Sequence, residues 1–142
     1  MNTIVFVASR KTELTSELLT AVAMELAEAQ PCRVRVRANI EGDRSSGAED
    51  AVWTLTHRMR DAGFHVHAEM YLPPGTDRRD VFLRDYEMVR DADRVIAFFS
   101  TYLFLEGGTG HVVKAALDRD LPVKAFSLGE HGDVEVVREF GG

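Results

Sequence analysis

The sequence predicts an α/β fold, a Rossmann-like three-layer sandwich with a mostly parallel sheet of about five strands and helices on both faces. Three observations lead there. Short apolar runs alternate with segments of helical periodicity about four times along the chain, and a further apolar run closes the series. Two of the runs, "TIVFVA" and "RVIAFFS", are apolar without interruption, as strands covered on both faces of a parallel sheet must be. Glycine-rich segments stand directly before two of the helical stretches, where such folds bind their ligands.

"TIVFVA" (3–8) is the first strand and ends in Ser9, Arg10 and Lys11. Leu14, Leu18, Ala21, Val22 and Leu26 recur at helical spacing, and Pro31 stops the pattern. "CRVRVRA" (32–38) alternates apolar residues with arginine, so it reads as an edge or half-covered strand. The loop "NIEGDRSSG" follows, with Ser46 and Glu49 spaced as a capping box. Ala48, Val52, Leu55, Met59 and Ala62 then mark a helical face that Gly63 closes. "FHVHAEMYL" (64–72) is the third strand. "PPGTD" is a turn in which Thr76 or Asp77 caps a helix running through Ala92, with Phe82, Tyr86 and Val89 expected to face inward. "RVIAFFS" (94–100) is the fourth strand, the stretch from Leu103 to Leu117 holds the next helix, and "LPVKAFS" (121–127) is the last strand. The tail 129–142 stays unassigned.

At 142 residues the chain suits one domain spanning 1–142. Hydrophobic residues make up 45% and charged residues 28%, a globular balance. A net charge of −6 argues against a broad basic face for nucleic acid. No run reaches the roughly 18 apolar residues of a membrane span, and the N-terminus lacks the basic lead of a signal peptide. Cys32 is the single cysteine, so an internal disulfide is excluded and a reducing, cytoplasmic setting is expected.

In a sheet of this kind ligands sit beyond the carboxyl ends of the strands. Three loops would open there: Ser9–Lys11, "EGDRSSG" and "STYLFLEGGTGH". In the last, Gly107, Gly108 and Gly110 expose backbone at a helix start, where unpaired N–H groups and a partial positive charge favour phosphate. The Thr109 hydroxyl adds a donor, and His111 stands in the first turn. A tight strand-to-helix turn without a ligand is the plain alternative. In the second loop, Arg44, Ser45, Ser46 and Gly47 repeat the chemistry, although Ser46 also suits a simple cap. Ser9 and Arg10 follow the first strand, where a cation can pair with an anion. His65 and His67 share a strand face, but no third ligand has metal-site spacing, so no metal is expected.

Four segments together resemble the SLOG superfamily, the Rossmann-like fold of DNA-processing protein A and the Lonely Guy proteins, and most of all its small YspA-like branch. They are "ASRK" with Ser9 and Arg10; "GDRSSGAED" with Gly47, Ala48 and Glu49; "LRDYEMVRDADRVIAFF" with Arg84, Asp85, Met88, Ala92 and Asp93; and "GGTGHVVKAALDRDLPVKAF". The likeness spans about residues 4–126. It implies a nucleotide or nucleotide-derived ligand across the glycine-rich loops, with Arg84 added to the contacts and no required cofactor.

Catalytic relatives cleave N-glycosidic bonds with a glutamate shortly after the Gly-Thr turn. Counting three beyond Thr109 reaches Val112, which has no acid, base or nucleophile to offer. The expected function is therefore a non-catalytic sensor or sequestering module. The alternative is an N-glycoside hydrolase or deoxyribosyltransferase using Glu106, Asp85 or Glu87. A third reading makes "TYLFL" (101–105), with Tyr102 and Phe104, an oligomer interface in a homodimer instead of a cover for a base.

Overall fold

The computed structural model describes residues 1–9, 15–37, 47–99, 107–128 and 134–140. The unbroken apolar run at the N-terminus forms β1 (Asn2–Ala8). Thr15 then caps α1 (Ser16–Ala29), its Oγ1 accepting from the Leu18 amide at 3.1 Å, and Leu18, Val22 and Leu26 form the buried stripe. A cis Gln30–Pro31 peptide leads into β2 (Cys32–Arg37).

The next helix, α2 (Gly47–Asp61), ends in a Schellman motif. Gly63 adopts φ 101°, its amide bonds to Arg60 O, and the Phe64 amide reaches Met59 O, both at 3.0 Å. This left-handed position is the reason for a glycine there. The remaining elements are β3 (Val66–Tyr71), α3 (Arg78–Val89), β4 (Arg94–Phe99), α4 (Gly107–Asp118), β5 (Val123–Leu128) and β6 (Val134–Phe140).

These residues build a six-stranded sheet in the order β3-β2-β1-β4-β5-β6. The first five strands are mutually parallel, and β6, from the tail the sequence left unassigned, runs antiparallel beside β5. Strand order reverses between β1 and β4, so the crevice between diverging connections opens at the carboxyl ends of those two strands.

β1 divides its side chains between two cores. Ile4, Phe6 and Ala8 pack with Val34, Val36, Leu18, Val22 and Val52 under α1 and α2. Val5 and Val7 pack with Val95, Ala97, Met88, Val89, Val112 and Val113 under α3 and α4. This alternation with both sets buried is why the strand sequence is apolar throughout. The same burial explains α4, whose first four residues include three glycines, each costing a helix about 1 kcal/mol relative to alanine. Val112, Val113 and Ala116 are at most 1% exposed, and each buried valine contributes roughly 1.5–3 kcal/mol. Packing wins.

Five expectations need correction. β2 is not an edge; it lies between β1 and β3, and β3 takes the edge. Its arginine row is partly covered, with Arg35 and Arg37 only 4% exposed, because carboxylates on neighbouring elements pair with them. α3 stops at Val89, and of the expected inner face Val89 is buried, Phe82 is half-buried and Tyr86 turns outward. Arg84, Asp85, Met88 and Val89 are its buried residues and Tyr86 is 44% exposed, since a paired arginine and aspartate occupy positions expected to be apolar. Finally, Asp77 stands at the N-cap of α3 without a side-chain capping bond, and β3 begins one residue after His65.

Candidate functional site

Two charged clusters meet on the first turn of α4. The first is centred on Arg37, the last residue of β2. Its Nε donates to Glu49 Oε1 at 2.8 Å. Its Nη2 donates to Glu49 Oε2 at 3.2 Å, to the Ala8 carbonyl at 3.1 Å and to Thr109 Oγ1 at 3.2 Å. One planar guanidinium thus joins the carboxyl ends of β1 and β2 to the first turns of α2 and α4. Glu49 is 0% and Thr109 3% exposed, so these bonds lie out of water, where a lost partner is costly.

The second cluster comes from α3. Asp85, fully buried, accepts from Arg84 Nε at 2.8 Å through Oδ1, and its Oδ2 lies 3.1 Å from His111 Nδ1. Arg84 also points Nη1 at the Tyr71 carbonyl, at the end of β3, at 3.5 Å. The His111 ring stacks on Phe82 with centroids 4.1 Å apart and meets Tyr86 edge-on at 5.5 Å. The Arg78 guanidinium also lies 5.3 Å from the Phe82 ring centroid. Thr109 and His111 are two residues apart, so α4 is tied at its start to β2 and α2 by one residue and to α3 by the other.

A third arginine holds α3 against the sheet. Arg35 Nη1 donates to Met88 O at 2.8 Å and to Asp91 Oδ1 at 2.6 Å, and its Cζ sits 5.2 Å from the Tyr71 ring centroid. The hydrogen bond from Arg35 draws the Asp91 carboxyl below its ordinary range. Burial pushes the Tyr71 phenol up, and the nearby Arg35 charge only partly opposes it. Burial likewise raises the Cys32 thiol.

The structure brings together Arg84, Asp85, Gly107, Gly108, Thr109, Gly110 and His111, and Ser9 extends the end of β1 with its amide on Phe98 O at 3.0 Å. Gly107, Gly108 and Gly110 belong to the helix itself. Gly47 opens α2 in the same way. Glu87 is elsewhere: it pairs with Arg90 at 3.3 Å on the outer side of α3, its side chain 58% exposed. Val112 is fully buried in the core under α3 and α4. Arg10, Arg44, Ser45, Ser46, Tyr102, Phe104 and Glu106 lie outside the described residues.

A hollow of about 350 Å³ exists at the opposite edge, lined by Asn2, Glu25, Glu28, Ala29, Asp93 and Arg94. Its polar groups are largely engaged: Glu25 bonds Lys124 at 2.6 Å and Arg94 at 3.0 Å, and Asp93 Oδ2 accepts from the Thr3 amide at 2.6 Å. It lies at the amino ends of β1 and β4, away from the crevice.

No family model matches the chain, and no curated protein matches it. Among solved structures, it is similar to Can2 from Sulfobacillus thermosulfidooxidans in complex with cyclic tetra-adenylate (cA4), with 16% identity and a TM-score of 0.42. That likeness covers 96% of this chain, which spans 37% of the length of the Can2 chain. Among the described residues, no helix is long and apolar enough to cross a membrane.

Sequence reasoning missed Arg37 as a site residue and gave Glu49 the role of a cap and a place in the resembled motif, without a partner. The available signal was an arginine at the carboxyl end of a strand, followed by an acid in the first turn of the next helix. Read together, they foreshadow a buried pair at the carboxyl edge of the sheet.

Proposed function

We propose that this chain binds a nucleotide or nucleotide-derived small molecule at the carboxyl edge of its sheet, as a SLOG-like module that does not cleave N-glycosidic bonds. The observation that supports this reading is the first turn of α4, fixed from two sides by Arg37 and Asp85 beside the crevice between β1 and β4. A rigid helix start with unpaired backbone N–H groups suits a phosphate without rearrangement. The exposed part of Tyr86, next to His111, offers an aromatic surface to a base or sugar.

Among the described carboxylates the N-glycosidase reading finds no support; Glu106, its other candidate, lies outside the described residues. Asp85 is buried between Arg84 and His111, Glu87 faces outward, and Val112 sits in the core where relatives carry glutamate. A thermal-shift panel of nucleoside monophosphates, diphosphates and cyclic nucleotides tests binding. A ligand at 100 times its Kd adds about 2.7 kcal/mol of stability. A flat panel overturns the proposal, and free base released from a nucleoside monophosphate overturns its non-glycosidic part.

A further inference from the structure

β3 forms one edge of the sheet, and hydrogen bonding to β2 fixes which of its backbone groups face outward. The Cys32 amide donates to the His65 carbonyl at 3.0 Å, and Cys32 stands beside Val66 in a parallel register. Successive residues of a strand turn their backbone groups to opposite sides, so His67, Glu69 and Tyr71 face β2 while Val66, Ala68 and Met70 face outward. Nothing among the described residues pairs with that outward row. Natural proteins blunt such edges with lysine, proline or a bulge. The six residues of β3 include no lysine or proline, and their register against β2 has no shift. At the other edge, the pairing of β6 with β5 does carry a shift, between Ala125 and Phe126. Large apolar side chains stand exposed just beyond both ends of β3, Phe64 at 39% and Leu72 at 55%.

We propose that this edge binds a second copy of the same chain, β3 against β3 in antiparallel sense, about a two-fold axis at Ala68. The stretch "FHVHAEMYL" is complementary to its own reverse. With Ala68 opposite Ala68 of the second copy, the outward amides and carbonyls of Val66, Ala68 and Met70 find partners. Val66 then faces Met70, Phe64 comes beside Leu72, and His67 stands opposite Glu69. His67 and Glu69 take the non-hydrogen-bonded positions, where opposed side chains come closest. The Glu69 carboxylate has capacity left to accept from an imidazole. Its side chain is 37% exposed, and Oε1, 3.6 Å from Arg33 and 3.8 Å from Arg35, makes no hydrogen bond among the described residues. Moving the axis loses this match. Centred on Glu69, it sets two carboxylates face to face. Centred on His67, it opposes two histidines and carries Tyr71 past the strand to Gly63, in the turn that closes α2. The paired edges join two six-stranded sheets into one. A seam of one strand is small, so the dimer dissociates on dilution.

Sedimentation velocity on the full chain across a dilution series tests the pairing. Wild type is expected to pass from the 15.9 kDa monomer to twice that mass as concentration rises. His67→Glu opposes carboxylates at two places across the axis and is expected to weaken association about tenfold or more. Its Tm should stay near that of wild type, because the new carboxylate lies beside Arg33 in the register with β2. Ala68→Cys sets two Cα atoms about 5.5 Å apart, within disulfide reach, so mild oxidation is expected to give a cross-linked dimer on denaturing gels. Cys32 is buried and should give wild type no such product, and Leu83→Cys, exposed on α3, should give none either. A monomer throughout the series overturns the proposal. A dimer that His67→Glu leaves intact, or that Ala68→Cys does not cross-link, overturns it too, since association then uses another surface. If one of these variants fails to fold, the other still decides.

Discussion

Arg37 and Glu49 form a two-point pair, Nε to Oε1 at 2.8 Å and Nη2 to Oε2 at 3.2 Å, that latches the end of β2 to the first turn of α2. Both side chains are out of water, at 5% and 0% exposure. Removing the Glu49 charge leaves the buried Arg37 guanidinium with neutral acceptors only among the described residues, and breaking a buried pair typically costs about 3–5 kcal/mol. Glu49→Gln is therefore expected to lower Tm by roughly 10 °C or more. The double variant Arg37→Met/Glu49→Leu should lose less than the sum of the single losses in urea denaturation. Additive losses would mean that the two residues act independently.

Val112 marks the position where the glycoside-cleaving proteins that the sequence resembles carry glutamate, and placing that acid here is expected to harm the protein. The isopropyl group is 0% exposed, in one cluster with Val5, Val7, Met88 and Val113. Val112→Glu would bury a carboxylate with no partner provided for it, so the side chain must either stay protonated or break the packing. A loss of about 3 kcal/mol or more is expected in denaturant melts, without gain of base release from nucleoside monophosphates. A stable, base-releasing variant would support the glycosidase reading.

How far the sequence revealed this fold depends on the range of the interactions involved. β1 and β4 could be read as parallel strands because both faces of each are buried, and unbroken apolar runs record that directly. α3 was misread because a mixed-charge helix does not say which charges face inward; Arg84 and Asp85 do so only because each has a partner. The site depends on long-range meetings. Arg37 reaches Glu49 across 12 residues and Thr109 across 72, and His111 finds Asp85 across 26. Local pattern placed the glycines and His111 at a helix start but could not foresee which side chains would clamp them. The tail "VEVVREF" departs from strict alternation at Val136–Val137, and its pairing with β5 carries a register shift between Ala125 and Phe126. A strand completed by its neighbour leaves a weak signal in its own residues.

Acid should weaken the anchor between α1 and the sheet. Burial pushes the Glu25 carboxyl up, but hydrogen bonds from Lys124 and Arg94 outweigh it and leave the group below its usual value. A carboxyl lowered in the folded state contributes stability that is fully present above its unfolded value of about 4.3 and is lost as pH falls through the lower folded value. Glu25→Gln is thus expected to be less stable than wild type at pH 7, by about 1 kcal/mol given that both cations are partly exposed. The gap should close as pH drops below 4, measured as paired Tm values across the range. A gap that persists at pH 2.5 would assign the loss to packing instead of charge.

The end of α4 is expected to accept a stabilising change. Asp120 holds φ 57°, in the left-handed region, while its amide bonds to Leu117 O and the Leu121 amide bonds to Ala116 O, both at 3.0 Å. This is the same closing geometry that Gly63 provides after α2, but with a side chain present. A non-glycine residue in that conformation costs roughly 1 kcal/mol, somewhat less for aspartate because its short polar side chain bonds locally. Asp120 is exposed, so its replacement disturbs no core contact. Asp120→Gly should raise stability by about 0.5–1 kcal/mol, a gain of roughly 2–4 °C in Tm. Asp120→Ala should lower it, since alanine has neither glycine's freedom nor aspartate's tolerance of the left-handed region. If glycine and alanine lowered Tm equally, the aspartate carboxylate itself, and not the backbone angle, would be what matters at this turn.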